Sequence, residues 1–209
     1  MRKAGANPMP AFRPLAYFTL KWIAVGFFRT FFRVRLEGFE HVPADGPVLL
    51  CVNHISGFDP IAVGALAPRP VHMMAKIELY SYLGWLLPAV GAFPVNRDVR
   101  DASAVRQALR LLRAGRVVGL FPEGHRHYDG RLGEPRPGAG TLIARSGAAV
   151  VPVAVRGPWR LFQRVQIRCG EPLDVSGSSD AADAVMRAIG RLYYLPEERA
   201  QGLPWAESD

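Results

Sequence analysis

Beyond Arg35 the chain alternates short, unbroken apolar runs with stretches of helical spacing, and this alternation restricts the fold more than any other feature of the sequence. It is the pattern of an α/β architecture. Val48 to Val52 reads as a buried strand. Asp59 then Pro60 reads as a helix start, with Asp as the N-cap and Pro at the first helical position, and the helix runs to Leu66. Val71 to Ala75 and Ala92 to Val95 are predicted strands around a short helix over Tyr80 to Leu87. Asp101 to Ala114 has helical spacing at Val105, Leu109 and Leu112 and closes at Gly115. Arg116 to Phe121 is predicted as a strand and Gly124 to Gly140 as loop. A helix is expected over Thr141 to Ser146, strands over Val150 to Val155 and Val165 to Cys169, a last helix over Ala181 to Tyr194, and a polar tail from Pro196. The expected fold is one domain with a mixed, mostly parallel sheet flanked by helices, over residues 36–195.

With 209 residues, 49% of them hydrophobic and 21% charged, the chain can bury one good core and has none of the signature of a disordered protein. Two cysteines, Cys51 and Cys169, cannot build a disulfide framework, and neither belongs to a C-x-x-C pair. A reducing, intracellular setting fits them.

The net charge of +8 is local. Residues 1–35 hold seven of the 26 basic residues and no acid, which leaves 19 basic residues against 18 acidic ones in the remainder. The same region carries an apolar, aromatic stretch from Leu15 to Phe32, interrupted by Lys21 and Arg29, so it is too short to span a bilayer, which takes about 20 predominantly apolar residues. Lys21 and Arg29 fall near Thr19 and Thr30 on one side, which leaves a Trp/Phe/Ile/Val face opposite. That describes an amphipathic helix lying in a membrane interface, and residues 1–35 are therefore expected to associate with the lipid bilayer. Two other readings compete: a helix packed on the protein's own core, and an Arg-rich, acid-poor organelle transit peptide. Nucleic acid is disfavoured as a partner, because the basic residues flank an apolar aromatic stripe and the rest of the chain is neutral. The expected location is the cytoplasmic face of the inner membrane, as a peripheral protein.

Three short motifs carry chemistry. In NHISGFD, a strand would deliver His54 to its carboxyl end and a helix would begin with Asp59 five residues later. A carboxylate on one imidazole nitrogen fixes the tautomer and leaves the other nitrogen as a base, the orienting logic of a catalytic triad without its nucleophile. Capping alone would equally account for an Asp before Pro. Ser56 would suit a Ser-His hydrolase, but the G-x-S-x-G signature is missing, and metal ligation by His54 and Asp59 lacks a third ligand at a recognisable spacing. GAFPVNRD and FPEGHRH each put an arginine, Arg97 and Arg126, on a strand-to-loop edge, where guanidinium groups match phosphate in a bidentate fork. Glu123 could equally pair with an arginine, and Arg97 could be a solvated charge.

Taken together, these blocks closely resemble the glycerolipid acyltransferase family, the 1-acylglycerol-3-phosphate acyltransferases and their relatives. NHISGFD is similar to the family's H-x-x-x-x-D block, GAFPVNR to G-x-x-F-x-x-R, FPEGHR to F-P-E-G, and VVPVAV to the final V-P-x-x-x block. Lys76, Glu78 and Leu79 resemble a short stretch placed between the first two blocks. The resemblance covers about residues 36–170.

It implies an O-acyltransferase in which His54 is the base and Asp59 its orienting partner. Arg97, Glu123, Gly124 and Arg126 would hold the phosphate and glycerol region of a lysophospholipid acceptor, and Pro152 would shape the acyl-donor side. The donor would be a thioester of coenzyme A or acyl carrier protein, with no metal or other cofactor. The acceptor implied is 1-acylglycerol-3-phosphate, giving phosphatidate in phospholipid biosynthesis. The alternatives are another lysolipid, such as an amino-acid lipid or a glycolipid, and a non-catalytic lipid-binding protein. The sequence departs from the family at His125 and His127, where Thr and Ser often stand, and at Arg136, near which the family commonly has a lysine.

Overall fold

The computed structural model describes residues 12–96, 101–175, 178–199 and 203–205. Among them, β1 (Arg33–Glu37), β2 (Val48–Val52), β3 (Val71–Lys76), β4 (Phe93–Val95), β5 (Val117–Leu120), β6 (Ala149–Arg156) and β7 (Arg164–Cys169) form one sheet. Its order is β1-β7-β6-β2-β5-β3-β4. Every neighbouring pair is parallel except β6 with β7. The mixed, mostly parallel sheet is thus the one expected. The central strand shows why its sequence is so readable: each residue from Val48 to Val52 is 0% exposed, because helices cover both faces and no position faces water.

On one face lie α5 (Ala102–Arg113), α6 (Pro137–Arg145) and α7 (Ala181–Tyr193), packed on Leu49, Cys51, Val118 and Val150. On the other lie α1 (Pro14–Phe31) and α2 (Asp59–Leu66), packed on Leu50, Val52, Val151 and Val153. The short α3 (Tyr80–Leu83) and α4 (Leu86–Ala89) lie between β3 and β4, where a single helix was expected, and α8 (Pro196–Arg199) follows α7. Asp101 caps α5, its side chain accepting from Ser103 N at 2.9 Å and Ala104 N at 3.1 Å. Cys51 and Cys169 are buried and free. Burial pushes the Cys169 thiol up to about 12 and raises Cys51 as well, so neither offers a thiolate at neutral pH.

Three details differ from the expected ones. The boundary placed between residues 35 and 36 falls inside β1, an edge strand paired with β7 from Arg33↔Arg164 to Glu37↔Arg168. An edge strand with three charged residues in five lacks the apolar run that gave the others away. Second, α1 is not split into one polar and one apolar side. Tyr17, Val25 and Phe28 are buried, and Lys21 turns inward with them, its Nζ donating to Ala67 O at 2.7 Å. Leu15, Phe18, Trp22, Ile23 and Phe31 are exposed on the outside. The helix therefore packs on α2 along one side and presents aromatics along the other, and among the described residues no helix is long and apolar enough to cross a membrane. Third, α6 starts at Pro137 rather than Thr141, with Pro in its favoured first-turn place. Past α7, Arg156 holds the Glu198 carboxylate with both terminal nitrogens, at 2.5 and 2.8 Å.

Candidate active site

The chain leaves β2 at its carboxyl end through Asn53, which is 0% exposed. The Asn53 side chain continues the strand ladder: Nδ2 donates to Val155 O at 3.0 Å and Oδ1 accepts from Val155 N at 2.7 Å. This pins the exit of β2 to β6 and fixes the direction in which His54 emerges. The imidazole lies against the Phe121 ring, with centroids 4.1 Å apart and planes 24° apart.

His54 Nδ1 is 2.8 Å from Asp59 Oδ2. The same oxygen accepts Ile55 N and Ser56 N, each at 2.7 Å, and Oδ1 accepts the indole Nε1–H of Trp159 at 2.7 Å. Asp59 is 0% exposed and opens α2, but its carboxylate points back into the loop instead of capping the helix, so the expected capping bond is not made. With three N–H donors besides the imidazole, the carboxylate acts as acceptor throughout, and the hydrogen between it and His54 belongs on Nδ1. That leaves the Nε2 lone pair, which has no protein partner among the described residues, to act as a base. Ser56 Oγ accepts Phe58 N within its own loop and makes no hydrogen bond to His54.

The Phe121–Gly124 turn leaves β5, the neighbour of β2, and closes with Gly124 N donating to Phe121 O at 3.0 Å. Gly124 has φ 74°, and a Cβ there would lie 2.8 Å from Arg136 Cγ, so both backbone and space call for glycine. Glu123 faces inward and is 1% exposed. Its Oε1 accepts His54 N at 2.9 Å and its Oε2 accepts Gly133 N at 2.8 Å, with His127 Nε2 3.6 Å away. Burial pushes its carboxyl up to about 7, against the pull of those two backbone donors. With both oxygens engaged, Glu123 clamps the loops around His54 rather than facing an acceptor.

Arg126 is exposed, its guanidinium 5.8 Å from the Tyr128 ring centroid, with Nη1 3.6 Å from where a Cβ on Gly57 would stand. It therefore reaches across the loop that joins His54 to Asp59. Arg97, the other expected phosphate ligand, lies outside the described residues. Pro152 is buried in β6 beside Cys51, and its carbonyl accepts Gly170 N at 2.9 Å; it does not line the cleft next to the dyad. That cleft, about 620 Å³, lies between Ile55 and Ser56, His127 and Tyr128, and the Trp159–Arg160 segment. The two unexpected histidines are structural neighbours: His127 N donates to His54 O at 2.8 Å, and the His125 and His127 rings are 4.5 Å apart.

Sequence reasoning did not find the roles of Asn53, Phe121 and Trp159. Asn53 and Phe121 lay inside blocks already singled out, so their place at the strand ends was a usable signal. Trp159 stands one hundred residues from Asp59 and had none.

Residues 33–156 match the family model described as Acyltransferase. The 1-acyl-sn-glycerol-3-phosphate acyltransferase of Bacillus subtilis is 33% identical over 151 residues, which cover 67% of this chain and 73% of that protein. The chloroplast 1-acyl-sn-glycerol-3-phosphate acyltransferase LPAT1 of Arabidopsis thaliana is 31% identical over 159 residues, 73% of this chain and 44% of that one, so the chain spans less than half the length of this plant relative. The crystal structure of the 1-acyl-sn-glycerophosphate acyltransferase PlsC from Thermotoga maritima shares the fold, with a TM-score of 0.68 over 84% of this chain and 77% of that one, at 23% identity. A family model matched over more than half of the chain, together with a bacterial relative aligned over most of its length, makes this protein a member of the acyltransferase family.

Proposed function

We propose that the protein transfers a fatty acyl group from a thioester of coenzyme A or acyl carrier protein to the free hydroxyl of 1-acylglycerol-3-phosphate, giving phosphatidate. The observation that carries this reading is the buried His54–Asp59 pair, with Nδ1 2.8 Å from the carboxylate and Nε2 left without a protein partner among the described residues. The acceptor hydroxyl gives its proton to Nε2 while its oxygen attacks the thioester carbonyl. The tetrahedral species then collapses, the C–S bond breaks, and the departing sulfur takes the proton back from the imidazolium. No covalent enzyme intermediate and no metal enter the scheme. Arg126, which reaches across the loop joining His54 to Asp59, is a cation suited to meet the acceptor's phosphate, with Arg97 as its partner in that role.

The acceptor is assigned from the names of the bacterial and plant relatives. A bilayer would supply this lipid substrate, and the exposed aromatics of α1 with Arg29 beside them are the surface suited to reach it, as a peripheral protein on the cytoplasmic face of the inner membrane.

The test is acceptor-dependent thiol release from purified protein with 1-acylglycerol-3-phosphate in vesicles and a series of acyl-CoA and acyl carrier protein thioesters. Release that requires this acceptor supports the reading. Release only with another lysolipid moves the substrate, and release without any acceptor replaces the reading with thioester hydrolysis.

A further inference from the structure

Trp159 belongs to none of the blocks by which the chain resembles its family, and it sits in the connection between β6 and β7. Its Nε1–H donates to Asp59 Oδ1 at 2.7 Å, and no other donor to that oxygen exists among the described residues. The opposite oxygen carries the other three donors: His54 Nδ1, Ile55 N and Ser56 N. The ring is held in turn by Phe28 at 5.4 Å, Phe32 at 5.5 Å and Phe58 at 5.7 Å between centroids. Phe28 and Phe32 belong to α1 and the residue that ends it, and are 1% and 3% exposed.

We propose that Trp159 is a positioning residue for the transfer reaction: its indole N–H fixes the plane of the Asp59 carboxylate so that Oδ2 stays in line with His54 Nδ1. A fully buried carboxylate with one unsatisfied oxygen gains by rotating toward any available donor or water, and rotation about the Cβ–Cγ bond takes Oδ2 off the imidazole. The indole removes that incentive. Since the ring is wedged between α1 and the His54–Asp59 loop, the helix with the exposed aromatics also supports the catalytic geometry. The inference rests on His54 and Asp59 acting as the dyad.

Trp159→Phe keeps a ring in the aromatic cluster and removes only the donor. The expected result is a fall in kcat of about 10- to 100-fold with KM changed less than about twofold, the scale of a small misplacement at a reacting centre. In an Asp59→Asn background the same substitution should change kcat less than about twofold, because the geometry it protects is already lost. Independently of turnover, protein labelled with 15N-tryptophan has four indole signals to assign, and the one lost in Trp159→Phe should move upfield in Asp59→Asn. An unchanged kcat in Trp159→Phe, an equal loss in both backgrounds, or an indole signal that ignores Asp59→Asn each overturns the assignment. Absence of thiol release by the unsubstituted protein with every lysolipid would instead remove the reaction and the positioning role with it, while the indole signal would still report the Trp159–Asp59 bond.

Discussion

Glu123 reaches His54 through the backbone: its Oε1 accepts the His54 N–H at 2.9 Å, while its Oε2 accepts Gly133 N at 2.8 Å. His54 is therefore gripped from two directions, by Asp59 at the ring and by Glu123 at the main chain. The two grips come from different strand ends, β2 and β5, which are neighbours in the sheet, so the order of the strands is what brings the two motifs together. Ligand sites of open α/β sheets commonly form at such carboxyl ends.

The Glu123 clamp predicts a pH signature in stability. The folded chain holds this proton more tightly than the unfolded one, so the group's contribution is fully present below about 4.5 and is lost as pH rises toward about 7. Glu123→Gln cannot accept from both backbone donors and should be less stable by about 1–3 kcal/mol. Its melting temperature should approach that of the unsubstituted protein as pH goes from 4.5 to 7, and a gap independent of pH would contradict the assignment.

Replacing Asp59 by Asn keeps the shape of the side chain but removes its charge and leaves one acceptor oxygen where the carboxylate had two for His54 Nδ1, Ile55 N, Ser56 N and Trp159 Nε1. By the logic of catalytic triads kcat should fall on the order of 10²–10⁴-fold. Steady-state kinetics with acceptor saturating would show this, and a loss confined to KM would mean that Asp59 serves binding rather than the base.

Gly124→Ala places a Cβ 2.8 Å from Arg136 Cγ at a φ of 74°. The left-handed backbone alone should cost about 1–2 kcal/mol. Denaturant unfolding measures this directly, and activity should fall as well, since Glu123 is displaced with the turn.

The two sides of α1 should respond differently to substitution. Phe28→Ala removes a ring that is 1% exposed and should destabilise the fold by about 3–5 kcal/mol. Trp22→Ser removes a ring that is 66% exposed and should leave the melting temperature near its original value while weakening co-sedimentation with anionic vesicles. Unchanged vesicle binding would take the bilayer away from this surface.

Much of the fold was legible because strands β2, β5 and β6 are buried on both faces, and such strands can only be written as apolar runs. The dyad was legible because His54 and Asp59 are joined by one short loop, so their spacing is already geometry. β1 was not, since an edge strand needs no apolar run and Arg33–Glu37 has none. The exposed aromatics of α1 were readable as apolar, but helical spacing does not say which side of an all-round apolar helix meets the core, and Lys21 fell on the inside. Glu123 was placed in the right motif, yet only the meeting of two strand ends reveals that it points inward. Trp159 depended on a contact across one hundred residues, which no local pattern announces.

The most direct measurement is thiol release from an acyl thioester in the presence of 1-acylglycerol-3-phosphate, with the unsubstituted protein beside His54→Ala, both shown to be folded by circular dichroism. With His54 as the base, the variant should lose at least about 10²-fold in kcat while retaining the vesicle binding of its parent. A folded His54→Ala protein that still transfers acyl groups at near the original rate would contradict the mechanism.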